Sequence, residues 1–225
     1  MEKLPTNEEV ENNEEQLADE RAYMYDDLEL GIEATDKENK HWDRWRKRYI
    51  TCANLTDKEG GKWLDVACGS GYGTEILSNY AEQAIGVDID KKTIEYANKF
   101  HKKKDNVNFL CQDIRKLALN EEEKFDAIIS IETIEHISDA NPFLKSIVKL
   151  LSENGVFVVT TPESLCGGGP NPDNKYHVNE YTIEQFKTLL ENYFEKVEIT
   201  TEKAIFTTGI ETVQVYAICT GQKNC

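Results

Sequence analysis

The spacing of apolar segments from residue 62 onward is the feature that most restricts the fold of this chain. Short apolar runs, which predict buried strands, occur at 63–67, 84–89, 107–113, 125–131 and 155–161. The longer stretches between these runs have apolar residues at helical spacing, which predicts helices at 73–79, 91–101 and 141–151. Because strands that alternate with helices are typical of a parallel sheet, we expect an α/β fold with helices on both faces of the sheet.

The two ends of the chain follow different patterns. Residues 197–200 and 212–220 predict two more strands with no helical pattern between them, which indicates an antiparallel hairpin at the C-terminal end. Residues 41–55 predict a helix before the first strand. Residues 1–40 are acidic and poor in large apolar groups, so we predict an N-terminal arm there, partly helical or disordered, before one domain at 41–225.

The charge of the chain disfavours a nucleic-acid partner. The formal net charge is −16 at pH 7, and residues 1–40 hold 14 acidic residues against 4 basic ones. Nucleic acids bind basic surfaces, and this composition gives little sign of such a surface. We therefore expect a partner that is a small molecule or a glycan, while the oligomeric state is not predicted.

Hydropathy and cysteine usage bear on where the chain is located. The sequence contains no run of about 18 apolar residues, so we expect no membrane span. The six cysteines form no C-x-x-C pair, which disfavours a zinc knuckle. Several of them lie within apolar runs, as reduced cysteines do, and we therefore expect a reducing, cytoplasmic compartment.

A glycine-rich turn follows the first predicted strand and begins the next predicted helix. In an open α/β sheet, ligands bind at the carboxyl ends of the strands, where this turn lies. A dinucleotide site requires G-x-G-x-x-G, but Thr74 replaces the third glycine after Gly69 and Gly71. Asp65 precedes the turn, and a carboxylate there is unfavourable for a pyrophosphate. It suits a cationic ligand without phosphate, such as S-adenosylmethionine.

Acidic residues also end the second and third predicted strands. Asp88 can accept hydrogen bonds from two ribose hydroxyls, as the equivalent acid does in Rossmann-like sites. Asp113 can accept a hydrogen bond from an adenine amino group. The alternative is that Asp88 and Asp113 only cap helices. With Asp65 included, three carboxylates at three successive strand ends favour a nucleoside site.

An acid–histidine cluster follows the fourth predicted strand. Glu132, Glu135 and His136 have i, i+3 and i+4 spacing, so a helix would place all three on one face. His177 lies in the loop after the fifth strand, at the same end of the sheet. One interpretation is that His136 removes a proton from an acceptor hydroxyl. A second is that these four residues bind Mg²⁺ or Mn²⁺, and a third is a purely structural role.

The segments VACGSGYGT, GVDID, CQDI and FDAIISIETIEHI resemble class I S-adenosylmethionine-dependent methyltransferases. The resemblance is strongest to bacterial-type enzymes that methylate sugars and to ubiquinone-biosynthesis O-methyltransferases. It implies a Rossmann-like, seven-stranded, mostly parallel sheet whose last strand is antiparallel. It also implies a set of cofactor-binding residues: Arg48, Asp65, Ala67, Gly69, Ser70, Gly71, Tyr72, Asp88, Ile89, Gln112, Asp113, Ile114 and Ile131.

The acid–histidine cluster also resembles a site in known methyltransferases. The quartet of Glu132, Glu135, His136 and His177 resembles the metal site of small-RNA 2′-O-methyltransferases. We therefore expect an enzyme that transfers methyl from S-adenosylmethionine to a hydroxyl of a sugar or polyol, with His136 and His177 as the catalytic groups. The alternatives are an RNA-end or quinone-precursor O-methyltransferase and, in another class, an NAD-linked oxidoreductase.

Overall fold

The computed structural model describes residues 36–116, 123–205 and 211–223, with side chains from residue 45 onward except those of 116, 204, 205 and 211. Residues 1–35 of the predicted arm lie outside these ranges. Five α-helices occur in the described residues: α1 (Asp36–Leu55), α2 (Tyr72–Leu77), α3 (Lys91–Phe100), α4 (Ala140–Leu150) and α5 (Ile183–Glu191). Seven strands occur there: β1 (Lys62–Val66), β2 (Gln83–Asp88), β3 (Val107–Cys111), β4 (Phe125–Ile131), β5 (Leu151–Pro162), β6 (Phe194–Ile205) and β7 (Glu211–Gln222).

All seven strands form one sheet in the order β3-β2-β1-β4-β5-β7-β6. The first five are parallel, whereas β7 is antiparallel to both β5 and β6. This confirms the predicted mostly parallel sheet with a C-terminal antiparallel hairpin. The strand order reverses between β1 and β4, because the chain adds β2 and β3 on one side and continues on the other. Such a switch point opens a crevice at the carboxyl ends of the strands.

Helices cover both faces of the sheet, as predicted. Successive residues of a strand point to opposite faces, so Trp63 and Leu64 belong to different cores. Leu64 packs with Phe143 of α4 and Phe186 of α5 on one face. Trp63 packs with Leu77 of α2 and with residues of α1 on the other face. The parallel strands are buried from both sides, which is why their sequences read as continuous apolar runs.

Helix α5 was not predicted from the sequence. Thr182 caps its N-terminus: the Thr182 hydroxyl accepts a hydrogen bond from the Gln185 backbone N–H, and the Gln185 side chain accepts one from the Thr182 N–H. This T-x-x-Q capping box was a readable signal. The helix has nine residues and buries only Phe186 and Leu190, so its apolar pattern is too brief to stand out.

The N-terminal helix is longer than predicted. Helix α1 begins at Asp36 and continues across the expected boundary between the arm and the domain at residues 40 and 41. Tyr49 and Cys52 of this helix are buried against the sheet. Its C-terminal half is therefore part of the core. Among the described residues, none of the helices combines the length and apolar character that crossing a membrane requires.

Candidate functional site

The backbone after β1 turns sharply toward the ends of β2 and β3. Ala67, Gly69 and Gly71 have φ angles of 57°, 53° and 89°, in the left-handed region. A Cβ atom at Gly71 would lie 2.7 Å from the ring of Phe109 in β3, so only glycine fits at this position. The predicted turn is confirmed, and its backbone approaches the neighbouring strand ends closely.

Asp65 lies beneath this turn and is completely enclosed. Its carboxylate accepts a hydrogen bond of 2.7 Å from the Thr74 hydroxyl, and the Tyr49 hydroxyl of α1 lies at 3.4 Å. Burial raises the pKa of Asp65 to about 7, although these hydrogen bonds oppose the shift. Asp65 therefore links α1, β1 and α2.

Asp88 holds the turn and faces a cavity. Its Oδ2 accepts a hydrogen bond of 2.9 Å from the Gly69 N–H, and its Oδ1 accepts one of 3.0 Å from the Asp90 N–H. The cavity has a volume of about 130 Å³. Six residues of the predicted cofactor set line it: Ala67, Asp88, Ile89, Gln112, Asp113 and Ile114.

The other predicted cofactor residues do not line this cavity. They are Arg48, Asp65, Gly69, Ser70, Gly71, Tyr72 and Ile131. Ile89 leaves 52 % of its surface exposed at the cavity, which is unusual for a large apolar side chain and suits a flat aromatic ligand. The cavity therefore has carboxylates at two strand ends and an apolar platform between them.

Six lining residues were not predicted: Val87, Asp90, Thr93, Arg115, Thr133 and Ile137. Asp90 caps α3 by accepting hydrogen bonds from the backbone N–H groups of Lys92 and Thr93. Arg115 donates from Nε and Nη2 to the two carboxylate oxygens of Asp113, at 2.9 and 3.0 Å. The D-x-x-T spacing was a readable capping signal, whereas the ion pair to Asp113 had no clear sequence signal.

Glu132 of the predicted quartet is bound by residues outside the quartet. Its Oε2 is 3.4 Å from Nη1 of the buried Arg48, which stacks on Trp45. Its Oε1 accepts hydrogen bonds from the Gln214 amide at 2.6 Å and from the Thr160 hydroxyl at 3.2 Å. These contacts fasten Glu132 beneath α1.

The prediction that one helix face presents Glu132, Glu135 and His136 is wrong. Glu132 has a φ of 51°, and only a single 3₁₀ turn follows, at Ile134–His136. Glu132 bonds to Thr160, whereas Glu135 accepts a hydrogen bond from Thr161 at 3.3 Å. Because consecutive residues of a strand point to opposite faces, the two glutamates lie on opposite sides of β5.

Glu135, His136 and His177 form a compact group. One ligand atom of each residue lies within 4.8 Å of the others, and the two imidazole rings meet edge to face at 5.0 Å. The Nδ1 atom of His136 is 2.8 Å from the Tyr176 carbonyl, so Nδ1 donates its hydrogen and Nε2 carries the lone pair. His136 also lines the cavity described above.

Glu135 is completely buried, and its Oε1 makes no hydrogen bond with the residues that the structure describes. Burial, and then the Glu132 carboxylate, raises the pKa of Glu135 well above its usual range. A buried carboxylate with an unsatisfied oxygen beside two imidazoles is a donor set that divalent cations accept. The group of Glu135, His136 and His177 therefore fits a metal ion, whereas Glu132 is held elsewhere.

Comparisons with known proteins find similar sequences and similar folds. Residues 64–159 match the family model described as a methyltransferase domain. A ubiquinone biosynthesis O-methyltransferase of Pelagibacter ubique is 36 % identical over 100 residues, which is 44 % of this chain and 41 % of that protein. A probable S-adenosylmethionine-dependent methyltransferase of Mycolicibacterium smegmatis is 26 % identical over 72 % of this chain and 62 % of its own length. The chain thus spans less than two thirds of either relative.

Solved structures show the same fold at low sequence identity. The 1,6-didemethyltoxoflavin-N1-methyltransferase of Burkholderia thailandensis, with bound S-adenosylhomocysteine, is 17 % identical with a TM-score of 0.68, over 98 % of this chain and 93 % of that one. The N-methyltransferase NodS of Bradyrhizobium japonicum, also with S-adenosylhomocysteine, is 16 % identical with a TM-score of 0.61, over 84 % and 90 %. Residues 64–159 thus match a methyltransferase domain, and the chain shares its fold with these two S-adenosylhomocysteine-bound methyltransferases.

Proposed function

We propose that this protein transfers the methyl group of S-adenosylmethionine to a hydroxyl oxygen of a small molecule. The proposal rests above all on His136, which lines the cavity at the strand ends and also belongs to the group with Glu135 and His177. A proton acceptor therefore lies beside the place where the cofactor would bind. Oxygen nucleophiles need such a group, because an alcohol must lose its proton during methyl transfer.

The cofactor would lie across the carboxyl ends of β1, β2 and β3. Asp88 would accept hydrogen bonds from the ribose hydroxyls, and Asp113, held by Arg115, would face the adenine amino group. The methionine end would extend over the turn toward Asp65 and Arg48. Nη1 of Arg48 is buried, lies 3.4 Å from the Glu132 carboxylate and makes no hydrogen bond with the described residues, and we propose Arg48 as a further partner for the methionine carboxylate.

The protein has little covalent chemistry to perform, because the sulfonium already activates the methyl group. Its residues align the acceptor oxygen with the methyl carbon, exclude water and accept one proton. Alignment lowers the barrier by several kcal/mol, since it removes the entropy cost of an encounter. With its Nδ1–H directed at the Tyr176 carbonyl, His136 presents the lone pair of Nε2 as the proton acceptor.

Glu135, His136 and His177 would hold a divalent cation such as Mg²⁺ or Mn²⁺ if the enzyme uses one. When bound, that cation would supply Lewis-acid polarisation of a hydroxyl and lower its pKa. It would also offset the cost of burying the Glu135 charge, because its own charge is opposite. The metal and the base are alternative ways of handling the same proton.

The acceptor that we propose is a sugar or related polyol, in which neighbouring hydroxyls can bind side by side. The main rival is a phenolic quinone precursor, because relatives are named for ubiquinone biosynthesis. Both contain adjacent hydroxyl groups, so both suit the cluster. The loop at 163–181, which carries His177, is the described segment best placed to distinguish them.

The test is a methyl-transfer screen with labelled S-adenosylmethionine over nucleotide sugars, small glycans, catechol-type quinone precursors and short RNA ends. We expect a methyl ether on a compound with adjacent hydroxyls, and activity lost in excess EDTA that returns with Mn²⁺ or Mg²⁺. Full activity in excess EDTA would leave only the base. Calorimetry that shows no binding of S-adenosylhomocysteine to the folded protein would refute the proposal altogether.

A further inference from the structure

A buried carboxylate lies directly behind His177. Oε1 of Glu180 is 2.6 Å from Nδ1 of His177, and the Glu180 side chain is only 5 % exposed. The same oxygen accepts a hydrogen bond of 2.7 Å from the Asn171 side-chain amide. Glu180 follows His177 by three residues and was not singled out by any sequence pattern.

The loop that carries His177 is built around this carboxylate. The backbones of Gly169 and Glu180 exchange two hydrogen bonds of 2.9 Å. The Asn171 N–H donates to the His177 carbonyl at 2.9 Å, and the His177 N–H donates to the Asn174 carbonyl at 3.0 Å. Hydrogen bonds with Asn171 and Asn174 therefore fix the backbone of His177, and the contact with Glu180 fixes its ring.

The imidazole rings of His136 and His177 differ in the group that lies next to Nδ1. His136 faces a neutral peptide carbonyl, whereas His177 faces a carboxyl group. An ionised carboxylate only accepts hydrogen bonds, so Nδ1 of His177 must donate and the lone pair is fixed on Nε2. Carboxylates in this position orient histidine ligands and make them better electron donors.

We propose that Glu180 is the positioning residue that fixes the Nδ1–H tautomer of His177 and thereby prepares Nε2 to ligate a divalent cation with Glu135 and His136. The cation part rests on the proposed function, but the tautomer does not. Glu180 does not line the cofactor cavity and is not one of the three residues of the group, so it acts on the group through its contact with His177.

The experiment compares Glu180→Ala, Glu180→Gln and Glu184→Gln in the full chain. Glu184 is an exposed glutamate close by in α5, and its change is the matched control. Long-range proton–nitrogen NMR at about pH 8.5, where ordinary histidines are neutral, reports the tautomer of each ring. The chain has only four histidines, so a His177→Gln variant assigns the signal. Calorimetry measures Mn²⁺ and S-adenosylhomocysteine binding.

We expect His177 to be the Nδ1–H tautomer in the wild type and in Glu180→Gln, because the glutamine oxygen can still accept. Glu180→Ala should lose this preference and weaken Mn²⁺ binding about tenfold to a hundredfold. The loss should be smaller in Glu180→Gln, and S-adenosylhomocysteine binding should hold in every variant.

The outcomes separate the two proposals. If the wild type binds no Mn²⁺ but Glu180→Ala still changes the tautomer, the metal is refuted and the positioning role stands. An unchanged His177 tautomer in folded Glu180→Ala overturns the positioning role, whatever the metal does. A change equally large in Glu184→Gln also overturns it, because the effect would then not be specific to the contact behind the ring.

Discussion

The two halves of the site are built in different ways. At the ends of β1, β2 and β3, backbone turns and nearby carboxylates shape the cofactor cavity: Asp88 bonds to the turn at Gly69, and Asp90 caps α3. At the ends of β4 and β5, side chains distant in sequence meet: His136 lies 5.0 Å from His177 between ring centroids. The cofactor half depends on local geometry, and the acceptor half on the packing of a loop.

Under the proposed function, this difference would separate cofactor binding from chemistry. We expect changes in the cofactor half to alter affinity for S-adenosylhomocysteine and changes in the acceptor half to alter turnover. Arg48 and Glu132 join the halves, because their ion pair ties helix α1 to the end of β4. Residues of this junction should affect both quantities, but weakly.

The largest expected effect is in the acceptor half. His136→Ala removes the proposed proton acceptor, so turnover should fall by at least about a hundredfold. S-adenosylhomocysteine affinity should stay close to the wild-type value, although His136 lines the cavity. Initial rates and calorimetry on the same preparation measure the two quantities.

His101→Ala is the control for this experiment, because His101 is a half-buried histidine that pairs with Glu75 away from the site. It should leave both rate and affinity intact. The proposed division between cofactor binding and turnover would be refuted if His136→Ala kept its turnover. It would also be refuted if cofactor affinity fell in parallel with rate.

The second effect is in the cofactor half. Asp88→Asn removes a charged acceptor for the ribose hydroxyls, and hydrogen bonds to charged groups contribute about 1.5–3 kcal/mol. S-adenosylhomocysteine affinity should therefore fall by about tenfold to a hundredfold, while Mn²⁺ binding is retained. The exposed Asp105→Asn is the control, and calorimetry is the measurement. Equal affinities for Asp88→Asn and Asp105→Asn would contradict the proposed placement of the ribose.

The two halves also differ in how far the sequence predicts them. The turn at Gly69–Gly71 and the strand-end acids were predicted because strand, turn and helix follow one another within about 50 residues. Asp88 and Asp113 both line the cavity at this edge of the sheet. The five parallel strands were likewise readable, because buried parallel strands are continuous apolar runs.

The acceptor half was predicted less well, for a physical reason. Helical spacing placed Glu132 beside Glu135, but the tight turn after β4 sends them to opposite faces. Gln214 and Arg48 bind Glu132 from 82 and 84 positions away, which no local pattern reveals. Glu180 was missed because a glutamate behind a histidine looks like any loop residue until the loop is folded.

The third effect concerns pH and the buried Asp65. Its pKa is raised to about 7, so Asp65 in the folded state keeps its proton at pH values above 3.8, which is its pKa in the unfolded state. The unfolded state then binds fewer protons, so this group lowers stability as pH rises from about 4 to about 7, and no further above that. Asp65→Asn lacks this pH dependence. Its unfolding free energy, relative to that of the wild type, should therefore rise by up to a few kcal/mol between about pH 4 and about pH 7. Denaturant titrations at several pH values measure the difference, and a pH-independent difference would show that Asp65 is ionised in the fold.

The smallest effect, at the junction, decides to which half Glu132 belongs. Glu132→Gln keeps an oxygen for Thr160 and removes the charge that faces Arg48. If the three-residue group of Glu135, His136 and His177 is the metal site, Mn²⁺ affinity should stay within experimental error. S-adenosylhomocysteine affinity should change by only a few-fold, because Arg48 loses its partner but keeps its place on Trp45. A large loss of Mn²⁺ affinity would instead place Glu132 among the ligands, which requires the turn after β4 to rearrange on metal binding. The matched variant Glu163→Gln, a half-buried glutamate just beyond β5, should change neither affinity.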